Sequence, residues 1–171
     1  MLLDLINIQK LRRFFVYFGL ILAALLVQNS ILDKISILGV RAMFLPVVAV
    51  AVGFFEGGVW GVVFGIVLGL FTDMSFGGGS VLFTVFMPLM GFAAGTLTSF
   101  FLTKRFFAFF IISVGALILA SLFQSFGILV FSETGPVSVL ITGGLQVLWS
   151  IPMIFAVYYP CKRLSELDLS R

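Results

Sequence analysis

Histidine is absent from this chain of 171 residues, and cysteine occurs only once, as Cys161. Histidine is the commonest general base and transition-metal ligand, so its absence argues against most acid–base and metal chemistry. A single cysteine also excludes a disulfide within the chain. The seven acidic residues form no close cluster that could hold Mg²⁺, and no serine has an evident base. These absences predict a non-catalytic protein without a metal or another cofactor.

Charge is scarce as well: only 10% of the chain is charged, whereas 61% is hydrophobic and the mean hydropathy is +1.27. A soluble domain of this size would need far more polar surface. The net charge of +3 lies in small clusters beside apolar runs, which is typical of membrane topology signals rather than of nucleic-acid binding. We therefore expect a single polytopic membrane domain over 1–171, in contact with lipid and without a nucleic-acid partner.

Apolar runs long enough to cross a bilayer follow one another along the chain. A hydrocarbon core of about 30 Å needs about 20 helical residues, and the sequence predicts an all-α protein with six such transmembrane helices. The predicted spans are 14–32, 35–55, 57–73, 79–102, 106–131 and 136–159, with an N-terminal segment 1–13 and a C-terminal tail 160–171. Segment 1–13 either lies on the membrane surface or extends the first helix. The second span is the weakest because Arg41 lies within it.

The positive charges distribute unequally between the two predicted sides. One side carries Lys10, Arg12, Arg13, Lys104, Arg105, Lys162, Arg163 and Arg171, whereas the other carries Lys34 and Arg41. Lysine and arginine are enriched on the cytoplasmic side of membrane proteins. Both termini are therefore expected in the cytoplasm.

The segment GGVWGVVFGIVLGLFTD, residues 57–73, repeats glycine at every fourth position, at Gly57, Gly61, Gly65 and Gly69. Glycines at this spacing form a flat, slightly slanting strip that another helix can approach closely. The strip either packs internally, against Gly91, Gly95 and Ser99 of the fourth span, or docks a separate membrane protein. For Gly61 and Gly65 we predict docking.

Asp73 closes the third span and is followed by a glycine-rich turn. One interpretation is a turn residue or helix cap. The other is a fixed polar contact, either with Arg41, which the predicted topology places near the same surface, or with a donor of a partner protein.

Uncharged polar residues also occur at membrane depth, among them Gln28 near the end of span one, Gln124 in span five and Gln146 in span six. Such side chains usually form hydrogen bonds between helices. The alternative is that they line a small-molecule pocket.

The segments GFFEGGVWGVVFGIVLGLFTDMSFGGG (53–79) and GFAAG (91–95) resemble the rod shape-determining protein MreD family of bacteria. The resemblance includes the polar patch that closes span one, Arg41 at the start of span two and the glycine-rich third span ending in Asp73. It implies a non-catalytic component of the rod complex in the bacterial inner membrane, which guides lateral peptidoglycan synthesis. The implied partners are the bitopic protein MreC, the actin-like MreB filament, and a glycosyltransferase with its partner transpeptidase.

The family fold is similar to that of the substrate-binding subunits of energy-coupling-factor vitamin transporters, which supplies an alternative function. A vitamin-capturing subunit would need a ligand-sized polar constellation and a small-residue motif on span one. Only Gly19 and Ala23 offer such a motif there. The scaffold is the favoured interpretation.

Overall fold

The computed structural model describes residues 2–28, 30, 42–75, 81–100, 105–131 and 136–166, with side chains described over 15–28, 30, 42–74, 81–100, 105–125 and 137–165. Within these ranges the chain forms six α-helices and no β-strand. The helices are α1 (Leu2–Val27), α2 (Leu45–Glu56), α3 (Gly58–Ser75), α4 (Leu82–Phe100), α5 (Phe106–Phe131) and α6 (Pro136–Glu166).

Three of the described helices are long and apolar enough to cross a membrane, over Leu82–Phe100, Phe106–Ser125 and Val137–Ser165. The chain is therefore an all-helical protein with the properties of a membrane protein. The described part of segment 1–13 is helical and continuous with α1, so this segment extends the first helix.

The second predicted span, 35–55, is wrong in its described part. Residues 42–44 are not helical, and α2 has only 12 residues, or about 18 Å of helix, whereas the hydrocarbon core of a bilayer is about 30 Å thick. Every residue from Leu45 to Phe55 is buried. The side chains of α2 are apolar on every side of the helix up to Phe55, so the helix has no polar face. A helix of this kind is enclosed by its neighbours. Arg41 and the preceding residues 35–40 lie outside the described residues.

Helix α2 lies in the middle of the bundle and contacts each of the other five helices. On one side it meets α3 and α4, which form the closest helix pair of the protein, and on another side it meets α5 and α6. At its C-terminal end, Gly57 adopts a φ of 101°, which only glycine adopts readily, and the chain turns directly into α3.

The two ends of the bundle differ in composition. At the end where α2 stops, the Glu56 end, aromatic rings from three helices pack together: the ring of Phe109 lies 5.4 Å from both Phe54 and Tyr158. The opposite end, the Asp73 end, contains the start of α4 and a cavity between α5 and α6.

Candidate functional site

The glycine strip of α3 lies against the backbone of α4. A Cβ atom added at Gly61 would lie 2.5 Å from the carbonyl oxygen of Gly91, and one added at Gly65 would lie 2.7 Å from Cα of Pro88. A Cβ atom at Gly69 would similarly approach Thr84 Cα to 2.6 Å. These distances are far below van der Waals contact, so only glycine permits this approach of the two helices.

The same interface is closed from the side of α4 and of α2. A Cβ atom at Gly95 would approach Gly58 Cα to 2.5 Å, and one at Gly91 would approach the backbone carbon of Gly61 to 2.7 Å. Gly53 of α2 faces the Gly91 carbonyl with equally little space. Three helices therefore meet at Gly53, Gly61 and Gly91.

This packing corrects the prediction that Gly61 and Gly65 form a docking face, because both are buried inside the bundle. Two predicted members of the interface do not belong to it. Gly57 precedes α3 and has no atom within 4 Å of a built Cβ, whereas Ser99 is exposed and donates to the Thr96 carbonyl of its own helix. Internal packing is the role that the structure gives the strip.

Asp73 joins the end of α3 to the start of α4. Its Oδ1 accepts the backbone N–H of Phe83 at 3.2 Å, and its Oδ2 accepts both the N–H and the hydroxyl of Thr84, at 2.8 and 2.6 Å. The N–H groups of the first helical turn have no partner within the helix, and a carboxylate there is also favoured by the helix dipole. Asp73 is therefore a cap supplied to α4 by the preceding helix. The proposed contact with Arg41 falls outside the described residues.

Gln28 holds the non-helical segment that leads into α2. Its Oε1 accepts the N–H of Phe44 at 3.1 Å, and its Nε2 donates to the carbonyl of Ala42 at 3.2 Å. From the other side, the hydroxyl of Ser150 accepts the N–H of Met43 at 2.9 Å and donates to the carbonyl of Gln146. The backbone of residues 42–44 is buried beside the middle of α6, in apolar surroundings. The N–H groups of Met43 and Phe44 and the carbonyl of Ala42 therefore depend on these side chains for their hydrogen bonds.

Ser150 was not among the residues singled out from the sequence. It lies one helical turn after Gln146 in α6, so a serine and a glutamine on one face of an apolar helix could have indicated it. Glu56 was also missed as a structural residue: its Oε1 accepts the hydroxyl of the buried Tyr17 at 2.7 Å, which ties α1 to the end of α2.

Substitution of Gln28 by leucine is expected to destabilise the protein by about 1–3 kcal/mol, because the Phe44 N–H and the Ala42 carbonyl would lose their partner in an apolar setting. The matched control is the same substitution at Gln124, whose Oε1 is buried and has no hydrogen-bond partner. Gln124→Leu should leave the stability unchanged or raise it. Unfolding by sodium dodecyl sulfate of the purified proteins gives the comparison, and equal destabilisation by both substitutions would contradict the role assigned to Gln28.

Gln124 lines a cavity between α5 and α6 at the Asp73 end. The cavity has a volume of about 190 Å³ and is lined by Gln124, Ser125, Ser138, Val139, Thr142, Gly143 and Gln146. No charged side chain is present in this lining. The arrangement brings Gln124 together with Gln146, which the sequence placed only on different spans, but it does not include Gln28 or Asp73.

The family models, the curated proteins and the solved structures that were searched contain no match to this chain.

Proposed function

We propose that the chain is a non-catalytic membrane scaffold of the bacterial rod complex, which organises lateral peptidoglycan synthesis through contacts with MreC and the wall synthases. The observation that carries the proposal is the packing of α2, α3 and α4. The two segments that resemble the MreD family, 53–79 and 91–95, contain the glycines that allow these three helices to approach with their backbones in contact, among them Gly53, Gly61 and Gly91. Those glycines serve a closely packed core rather than a ligand site or a reaction centre.

The size of the cavity supports a scaffold over vitamin capture. Pockets for organic ligands of drug size measure about 300–1,000 Å³, whereas the cavity between α5 and α6 measures about 190 Å³. A vitamin-sized molecule would need this part of the bundle to open considerably.

The alternative function, a substrate-capturing subunit of an energy-coupling-factor type transporter, retains two supporting observations. Polar side chains, among them Gln124 and Gln146, are present in the lining of the cavity. Gly19 and Ala23 lie one helical turn apart on the exposed surface of α1, where a built Cβ at Gly19 meets no atom within 4 Å. In such transporters this surface would contact the transport partner.

The proposed location is the bacterial inner membrane, with both termini in the cytoplasm. The Glu56 end of the bundle, which also carries Arg105, Lys162 and Arg163, would then face the cytoplasm.

Because the glycine strip is internal, MreC and the wall synthases would contact outward-facing apolar residues of the bundle. The MreB filament would be contacted directly or through MreC.

Affinity purification of the tagged chain from its own membranes in mild detergent tests the proposal. We expect a bitopic periplasmic protein and cell-wall synthases to co-purify, and cells depleted of the chain to become round. Recovery of a transporter ATPase module instead would refute the scaffold. Gly19→Leu distinguishes the two functions further, because it should abolish recovery of an ATPase module but leave recovery of a bitopic scaffold partner unchanged.

A further inference from the structure

The Glu56 end of the bundle carries most of the charged side chains that the structure describes. Three of them are cations, Arg105 at the start of α5 and Lys162 and Arg163 near the end of α6, and all three are exposed. The acids that α2 and α6 contribute to the same end are Glu56 and Glu166, so the ends of α2, α5 and α6 together carry a net positive charge. An exposed cluster of this sign is complementary to an anionic partner.

Two of these cations lie beside each other where α5 packs against α6, a place we name the α5–α6 seam. The ring of Phe106, directly after Arg105, lies 4.9 Å from the ring of Tyr158 and 5.2 Å from that of Phe155. Lys162 follows Tyr158 by one helical turn on the same face of α6. Arg105 and Lys162 therefore approach the same point of the protein surface from two helices.

This point lies at the depth of the lipid headgroups. The apolar stretch of α6, Val137–Ser165, has 29 residues, or about 44 Å of helix, whereas the hydrocarbon core of a bilayer is about 30 Å thick. Its last turns, with Lys162, therefore extend beyond the hydrocarbon. The apolar stretch of α5 begins at Phe106, directly after Arg105. Anionic lipids give this layer of a membrane a negative potential, which attracts basic side chains.

The position of Arg105 is unfavourable for the protein taken alone. The N-terminus of a helix carries the positive end of the helix dipole and favours an acidic residue, but the first turn of α5 contains none. Arg105 is exposed and forms no ion pair with any residue that the structure describes. A bound anion would remove the repulsion between this side chain and the start of its own helix.

Aromatic side chains are exposed around the two cations. Phe107, Phe155 and Tyr159 are 72%, 45% and 67% exposed. Exposed rings near a cluster of cations are typical of the membrane interface, where they lie against the glycerol groups and the upper part of the acyl chains. A phospholipid offers an anionic group with apolar chains attached and matches both features. An acidic protein segment would match the charges alone.

We infer that the α5–α6 seam binds an anionic phospholipid, with its phosphate between Arg105 and Lys162 and an acyl chain along Phe155. The guanidinium group presents a planar fork of N–H donors that suits a phosphate, and the ammonium group has three donors. Arg163 lies about 100° from Lys162 around α6, so it points away from the α5–α6 seam. Cations that served only to orient the chain in the membrane would not select one lipid over another.

Native mass spectrometry of the purified full-length chain in a non-ionic detergent tests the inference. The probes are dioleoylphosphatidylglycerol, which is anionic, and dioleoylphosphatidylcholine, which has the same chains and no net charge. We expect saturable binding of the anionic lipid with a Kd at least tenfold lower than that of the zwitterionic lipid. Equal binding of the two lipids overturns the inference. Because no other protein is present, the result is independent of the proposed scaffold function.

Three substitutions of equal charge locate the binding. Arg105→Gln and Lys162→Gln should each weaken binding of dioleoylphosphatidylglycerol about fivefold, which is the share that one basic residue contributes at an anionic membrane surface. The matched control is Arg163→Gln, which removes the same charge from the same end but outside the α5–α6 seam, and it should change the Kd less than twofold. All three side chains are exposed, so the variants should remain folded. Equal weakening by all three would indicate attraction by net charge alone and would overturn the inference.

Discussion

Gly65→Leu is expected to prevent the protein from accumulating in the membrane. A Cβ atom at this position would lie 2.7 Å from Cα of Pro88 and 2.8 Å from its nitrogen, so backbone rather than a movable side chain stands in the way. Overpacking of a filled interior costs about 1–3 kcal/mol, and a whole leucine side chain between two backbones should reach or exceed the upper value. Gly65→Ala meets the same backbone atoms with one methyl group and should lie within that range.

The control for Gly65→Leu is Gly19→Leu on the exposed surface of α1, where a built Cβ has no neighbour within 4 Å. Leucine is a better helix former than glycine and suits hydrocarbon, so this variant should be as abundant as the natural protein. Immunoblots of washed membranes and unfolding in sodium dodecyl sulfate measure both effects. Normal abundance and unfolding of Gly65→Leu, with only a partner lost, would show that the strip acts by docking and not by internal packing.

Asp73→Leu is expected to destabilise the protein by about 2–6 kcal/mol, because it removes the acceptor that the N–H groups of Phe83 and Thr84 share in the first turn of α4, at about 1–3 kcal/mol for each hydrogen bond. Asp73→Asn should cost less, because its carbonyl oxygen can still accept one of these hydrogen bonds. Unfolding in sodium dodecyl sulfate ranks the two variants. Thr72→Val provides the control: the neighbouring Thr72 is buried too, but its hydroxyl donates only to the Leu68 carbonyl within α3, so its loss should cost less than about 1 kcal/mol.

Equal damage by Asp73→Asn and Asp73→Leu would show that the negative charge, rather than the capping hydrogen bonds, stabilises the protein. A contact with Arg41 would then become the better explanation. Rescue of function by exchanging the two charges, in a chain carrying Asp73→Arg and Arg41→Asp, would support that explanation.

Hydropathy and residue spacing along the chain were sufficient to predict several of the helices and which residues share a helix face. Long apolar runs predicted α4, α5 and the start of α6 closely, because the length and polarity of a run are properties of the segment itself. Helix α6 continues to Glu166, seven residues beyond its predicted end, because the polar residues that follow the apolar run remain helical. The spacing of four predicted that Gly61, Gly65 and Gly69 share one face of a helix, and the turn after Asp73 indicated a cap as one of two interpretations. Each of these predictions depends only on residues that are neighbours along the chain.

Tertiary structure decided that α2 is enclosed by other helices and that its start is not helical. Hydropathy does not distinguish a helix that spans lipid from one enclosed by other helices, since both are apolar on every side, and the short α2 was therefore predicted as a full span. Its non-helical start is possible because Gln28 and Ser150, from α1 and α6, supply hydrogen bonds across 16 and 107 positions of the chain.

The sequence by itself determined that this protein is helical and apolar, and it determined which residues share a helix face. Only the tertiary structure decided what each face meets: α4 opposite the glycine strip, the start of α4 beside Asp73, and a small cavity that Gln124 and Gln146 both line. The physical reason is that periodicity fixes the direction of side chains around one helix axis. Close approach, in contrast, depends on two distant segments presenting matching surfaces at the same depth.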